Sequence, residues 1–224
     1  MLALLPKYTH IVKPRLKHTY LTFDDGGNLI IKSPKVSQHY IEKLLLKKSE
    51  WINRSREKIL QKKGKLSDFS ENAALYFLGQ PYPLKLIEHS KKRTRLLFEE
   101  ETFLLYYHHY NETLFQKHID SFYKEEAKQY LPPLVRQWAG QMDLLPEDIR
   151  FRKTKRQWGS CSGKNVLSFN TMLMKLPLSV IQYIIVHELA HIKHKHHQKS
   201  FWKLVEEHLP DYRQRVAELH TYTT

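Results

Sequence analysis

His187-Glu188-Leu189-Ala190-His191 decides how this chain is read. On an α-helix, residues four apart lie on one face, so His187 and His191 are placed to grip one metal ion together. Glu188 follows one position on, where a carboxylate can reach a water in the metal's open position. That grouping is the pattern of zinc-dependent amide hydrolysis. The chain holds 14 histidines, so an accidental match is less rare than usual. The context argues against accident. Val180-Ile181-Gln182-Tyr183-Ile184-Ile185-Val186 runs apolar straight into the motif and covers most of a helix circumference. Such a helix is buried, and a buried pair of histidines with a glutamate is costly unless something satisfies the polar groups.

Three nearby histidines compete to be the third ligand. His194 lies on the stripe of His187 and His191, but three ligands along one straight helix span about 10 Å of rise. They converge poorly on an ion whose bonds to nitrogen are about 2 Å long. A residue beyond the helix end approaches from the side, which favours His196 or His197. Spacing alone leaves those two unseparated.

Composition bounds the rest. A chain of 224 residues fits one large or two small domains. With 41% hydrophobic and 12% aromatic residues it can bury a core, so the net charge of +14 does not signal disorder. Cys161 is the only cysteine, which rules out a disulfide within the chain. No segment approaches the roughly 20 apolar residues of a membrane span. Met1-Leu2-Ala3-Leu4-Leu5-Pro6-Lys7 is too short an apolar stretch for a signal peptide, and the cytoplasm is the expected compartment.

Residues 1–108 read as a β-rich region with one long helix, and residues 109–224 as a second domain. Thr19–Phe23 and Leu29–Ile31 form a hairpin around Asp25-Gly26-Gly27-Asn28. Ser37 caps a helix running to about Lys63, with Tyr40, Ile41, Leu44, Leu45, Trp51, Ile52 and Ile59 at helical spacing and Gly64 closing it. Strands follow at Ala74–Leu78, Tyr82–Ile87, Arg95–Phe98 and Thr102–Tyr107. Asn111 caps a helix to about Tyr130. Pro132-Pro133 interrupts it, and a second helix reaches Met142. Asp148–Lys153 and Val166–Phe169 are partner strands. Helices at Leu178–Lys193, Phe201–His208 and Asp211–Leu219 complete the chain.

Trp158-Gly159-Ser160-Cys161, Asn170, the His187–His191 motif, His197 and Phe201-Trp202 together resemble the YgjP-like zinc metallopeptidases, relatives of the WLM and SprT-type proteases. Pro210-Asp211-Tyr212 also matches. Weaker similarity in the N-terminal half covers Pro34, Lys48 to Trp51-Ile52 and Leu78–Tyr82. The resemblance implies an α+β fold in which a zincin-like metallopeptidase domain packs a small sheet on the motif helix. It implies one zinc ion held by His187, His191 and His197, with Glu188 as catalytic acid/base and a protein or peptide as substrate. Two positions depart from the family pattern: His196 replaces a usual Asn before the third ligand, and Thr171 follows Asn170 where Trp is common.

Tyr183, one turn before His187, is a candidate oxyanion donor, although core packing is its simpler role. Cys161 reads as a small buried residue rather than a redox thiol. Basic runs at Arg54–Lys65, Lys91–Arg95 and Arg150–Arg156 suit an acidic partner such as nucleic acid, against the alternative of solvated lysines. A nucleic-acid-associated protein with a structural zinc is therefore the competing function, and a histidine-rich metal-handling protein a third. Glu188 separates the first two, because a structural site needs no general base and closes with a fourth protein ligand.

Overall fold

The computed structural model describes residues 5–24, 26–64, 68–70 and 72–223. They group into two compact units, 1–62 and 63–224. The sequence division at residues 108 and 109 falls inside the second unit, in the link between strand β7 and helix α3 defined below.

The first unit holds β1 (Tyr8–Val12), β2 (Tyr20–Phe23), β3 (Leu29–Ser33), α1 (Gln38–Lys47) and α2 (Ser49–Leu60). The expected hairpin is present: β2 and β3 are antiparallel, with Phe23 opposite Leu29. In its turn, the Asp24 carboxylate accepts from the Gly26 and Asn28 amides at 2.9 and 2.8 Å; Asp25 lies outside the described residues. β1 runs parallel to β3, a strand the pattern of YTHIV does not announce because most of it stays exposed. The single helix expected from Ser37 to Lys63 is two helices. The chain leaves helical geometry at Lys48 (φ −106°, ψ 9°), where neither Gly nor Pro marks the break. Ser37 does cap α1, accepting from the Tyr40 amide at 3.2 Å. Ile41, Leu45 and Ile52 join Leu29 and Ile31 in a small core, whereas Tyr40 and Trp51 are 46% and 42% exposed.

In the second unit, β4 (Ala74–Phe77), β5 (Gln80–Glu88), β6 (Arg95–Glu99) and β7 (Thr102–Tyr107) form a sheet in the order β4-β5-β7-β6. Leu78 (φ 48°) and Gly79 (φ 89°) make a two-residue turn with both φ positive, the geometry that matches strand twist. A side chain at Gly79 would lie 2.8 Å from Pro177 Cγ. The turn amides donate to the carbonyls of Met174 and Lys175 at 2.8 and 3.2 Å, which ties this sheet to the segment entering the motif helix.

α3 (Glu112–Met142) runs unbroken through Pro132 and Pro133, contrary to the expected interruption. Its buried stripe, Phe115, Ile119, Tyr123, Ala127, Leu131, Val135 and Ala139, continues past both prolines at a spacing of four. The carbonyls that the prolines leave without partners belong to Lys128 and Gln129, which are exposed and open to water. Core burial on one face and hydration on the other keep the helix intact.

β8 (Asp148–Arg152), β9 (Gly159–Cys161) and β10 (Val166–Asn170) form a sheet in the order β8-β10-β9, with β8 parallel and β9 antiparallel to β10. A 3₁₀ turn at Thr171–Lys175 leads into α4 (Leu178–Lys193), and α5 (Lys199–His208) and α6 (Tyr212–Leu219) follow. The architecture is α+β, with the small sheet packed on α4 through β9. Among the described residues, no helix is long and apolar enough to cross a membrane.

Candidate metal centre

α4 is buried along most of its circumference, from Val180 through Ala190, as its apolar run predicts. It ends at His194, whose backbone turns extended (φ −125°, ψ 101°). That change of direction carries the chain back past the helix. The His194 carbonyl accepts from His191 Nδ1 at 2.9 Å, so the proton of this ring sits on Nδ1 and its Nε2 presents a lone pair.

His197 arrives from the loop beyond. Its Nε2 lies 3.1 Å from His191 Nε2 and 3.1 Å from His187 Nε2. The three donor atoms all lie within 4.8 Å of one another. His196 and His194 stand outside this cluster: His196 Nδ1 accepts from the Gln198 amide at 3.3 Å, and His194 Nδ1 meets Ser200 Oγ at 3.5 Å. Thus the fold brings together His187, His191 and His197 from among the competing histidines.

The surroundings hold these rings in place. Phe201, fully buried, meets all three, with centroids 4.9, 4.6 and 4.7 Å from those of His187, His191 and His197. Trp202 Nε1 donates to the His197 carbonyl at 3.1 Å, and its ring stacks on Tyr212 at 5.4 Å and 18°. The Tyr183 hydroxyl lies 3.3 Å from His187 Nδ1, the nitrogen facing away from the cluster. Burial pushes the Tyr183 pKa up to about 12, so this hydroxyl keeps its proton. Phe201-Trp202 belongs to the motif pattern and opens an expected helix; the hydrogen bond of Trp202 to the carbonyl of His197 is a role that neither spacing nor pattern reveals.

Glu188, next to His187 in the chain, is 6% exposed. Burial pushes its pKa up to about 8. Its carboxyl rests against Gly159 of β9, where an added Cβ would fall 2.7 Å from Glu188 Cγ and Oε1. Only a glycine permits that approach. Asn170, 2% exposed, fixes the loop that leads to it: its amide nitrogen donates to the carbonyls of Thr154 and Gln157 at 2.8 and 2.9 Å, and its Oδ1 accepts from the Met172 amide at 3.1 Å. Next along β9, Cys161 is half-buried, with Lys195 Nζ 3.5 Å from its sulfur and 2.7 Å from Asn165 Oδ1. Burial raises its thiol pKa, against the opposing pull of Lys195.

The donor set fits a metal ion. Burial and the neighbouring rings push the His187 pKa down to about 3, and burial lowers that of His191, both shifts favouring the neutral imidazole that a metal ion requires. Nitrogens this close need a proton or a cation between them, because facing lone pairs repel. Tetrahedral coordination at about 2.0–2.1 Å separates donors by about 3.4 Å, close to that spacing.

A buried glutamate beside three convergent imidazoles defines the class as metal-dependent hydrolases. The family model described as YgjP-like, metallopeptidase domain, matches residues 17–222, and the chain belongs to that family. It is a metallopeptidase, a class that works with a bound metal on protein or peptide substrates. Among solved structures, the metallopeptidase zymogen abylysin of Pyrococcus abyssi is 24% identical over 40% of this chain and 90% of its own, with a TM-score of 0.37. The zymogen jannalysin of Methanocaldococcus jannaschii is 20% identical over 39% of this chain and 93% of its own, with a TM-score of 0.35. At these scores the likeness carries no residue role across. No match is found among curated proteins.

Proposed function

We propose that this metallopeptidase is zinc-dependent, with His187, His191 and His197 holding one zinc ion and Glu188 serving as general base and then general acid in peptide-bond hydrolysis. The observation that carries this reading is the convergence of three imidazole nitrogens, His197 Nε2 lying 3.1 Å from both His187 Nε2 and His191 Nε2, with the buried Glu188 next in the chain to His187. When bound, zinc supplies Lewis acidity and a water of lowered pKa. Glu188 takes the proton of the attacking water and passes it to the leaving nitrogen. Burial raises the carboxyl's pKa and so suits it to deliver a proton; to accept one it must first be ionised, and the charge of a bound cation would favour that carboxylate. Tyr183 holds His187, and the His194 carbonyl holds His191, each with its outer nitrogen engaged so that Nε2 points inward. β9 ends the sheet order, so its outer edge is open to an extended peptide adding as a further strand beside Glu188.

The competing function, a structural zinc in a nucleic-acid-associated protein, calls for a fourth protein ligand. Among the described residues no fourth His, Cys, Asp or Glu joins the cluster, which supports the catalytic reading. The test is metal analysis and peptide-library digestion of wild type beside Glu188→Gln. The expected result is one zinc per chain in both and cleavage by wild type alone, the variant losing at least 10²-fold in rate. Unchanged turnover in Glu188→Gln removes the assigned role.

A further inference from the structure

The three basic runs of the sequence meet different fates in the fold. In the last, Arg150 pairs with Asp148 at 2.9 Å and Lys153 with Asp120 at 2.7 Å, while Arg152 donates to Ser160 Oγ at 3.1 Å. In the first, Arg54 pairs with Glu50 at 3.6 Å and Arg56 donates to the Gly27 carbonyl at 3.0 Å. The middle run differs. Among the described residues, no carboxylate pairs with Lys91, Arg93 or Arg95.

These three side chains, with His89, Ser90 and Tyr106, line a cavity of about 300 Å³ at the loop between β5 and β6. The Arg95 guanidinium lies 4.6 Å from the centre of the Tyr106 ring, its partner across the β6–β7 ladder. Stacking on a ring leaves the in-plane N–H groups of a guanidinium free to bond elsewhere. His89 Nδ1 accepts from the Lys91 amide at 3.0 Å, which places the ring proton on Nε2 and makes that nitrogen a donor. The His89 carbonyl accepts from His108 Nδ1 at 3.2 Å, which ties the loop to the end of β7. Every charged or imidazole group in the lining therefore donates. A ligand must bring the acceptor oxygens and the negative charge.

We propose that this cavity is a binding site for the phosphodiester backbone of a single-stranded nucleic acid, independent of the metal centre. Arginine forks match the paired oxygens of a phosphate. A cavity of this size is at the small end of ligand pockets and takes one phosphate-bearing unit, with the exposed Lys91 and Arg93 reaching the phosphates on either side. The net charge of +14 draws a polyanion more strongly than a single small anion.

The test is a fluorescence anisotropy titration of the full chain with a labelled oligodeoxythymidylate of about 20 nucleotides, between 50 and 200 mM salt. Lys91→Gln/Arg93→Gln/Arg95→Gln is compared with wild type and with Lys117→Gln/Lys124→Gln/Arg136→Gln, an equal charge change on α3. Three neutralised phosphates account for about 2 units of slope of log affinity against log salt. Over that fourfold rise in salt, wild type should lose about 20-fold more affinity than the loop variant, and the α3 variant should follow wild type. Metal content and peptide cleavage report that both variants are folded. If the triple variant does not fold, Arg93→Gln alone should lower the slope by about 0.7. The proposal is overturned if the loop variant keeps the wild-type slope or the α3 variant loses as much. It is also overturned if polyglutamate of matched charge displaces the oligonucleotide equally well, or if inorganic phosphate at equal phosphate concentration does so.

Discussion

Gly159→Ala should disable catalysis while sparing the metal. The new Cβ would stand 2.7 Å from Glu188 Cγ and Oε1 and 2.9 Å from its Cδ. Carbon atoms pack comfortably at about 3.5–4.0 Å, so the carboxyl or the strand must give way by about 1 Å. The strand is held: Gly159, Ser160 and Cys161 lie in register with Phe169, Ser168 and Leu167 of β10. Glu188 is the more yielding partner, although its 6% exposure leaves little room for it. Overpacking of this kind costs about 1–3 kcal/mol of stability. A displacement of about 1 Å at a reacting group costs about 10²-fold in rate. The assay is kcat and KM on a peptide found by library digestion, with zinc affinity measured by chelator competition. The expected result is kcat down about 100-fold with zinc affinity unchanged. Adding Gly159→Ala to Glu188→Gln should lower residual activity little further, because both changes act on one group. Glu188→Asp should relieve the overlap and recover most of the lost stability. A Gly159→Ala enzyme within twofold of wild type would refute the link between this glycine and the glutamate.

Other substitutions probe the supports of the site. Trp202→Phe removes the 3.1 Å bond to the His197 carbonyl and should weaken zinc binding about 10- to 100-fold; an unchanged dissociation constant in chelator competition sinks that role. Asn170→Ala leaves the Thr154 carbonyl without its donor, while the Gln157 carbonyl keeps the Thr154 hydroxyl, and should cost about 1–3 kcal/mol in urea unfolding. Asn170→Asp should do no better, since a carboxylate supplies no N–H. Lys175 donates to the Gly64 carbonyl at 2.7 Å, and burial, then Lys153, pushes its pKa down to about 8 from 10.5. Between pH 8 and 10.5 the unfolded chain binds the extra proton, so wild-type stability should rise with pH by up to about 3 kcal/mol. Lys175→Met should flatten that rise; an unchanged wild-type-minus-variant difference between pH 7 and 10.5 would contradict it.

Much of the site was legible because a helix is rigid and periodic. His187 and His191 share a face by geometry alone, and the apolar run before them announced a buried helix. The strands from Ala74 to Tyr107 followed from alternation and turn residues. The readings that failed are places where neighbours decide. Pro132-Pro133 predicts a break, yet the buried stripe from Phe115 to Ala139 holds α3 together while water receives the freed carbonyls. Tyr40 and Trp51 have helical spacing but stay exposed, because α1 and α2 break at Lys48 and only Ile41, Leu45 and Ile52 reach the small core. β1 was invisible because most of a strand paired along one edge remains wet.

By itself, the sequence determined the family, the α+β class, the buried motif helix and the glutamate beside it. The motif helix and its glutamate follow from residue type and spacing along one element; the family and the α+β class follow from the resemblance, whose motifs are spread along the chain. Spacing left His194, His196 and His197 open and only the family resemblance pointed to His197; in the tertiary structure it is His197 that meets the other two, because of where the chain turns at the end of α4. The tertiary structure also decided that Gly159 abuts Glu188, that Trp202 holds the His197 carbonyl, and that Lys91, Arg93 and Arg95 line one cavity with no paired carboxylate among the described residues. These contacts join residues far apart in the chain or on different elements, and no spacing along a single strand or helix encodes them.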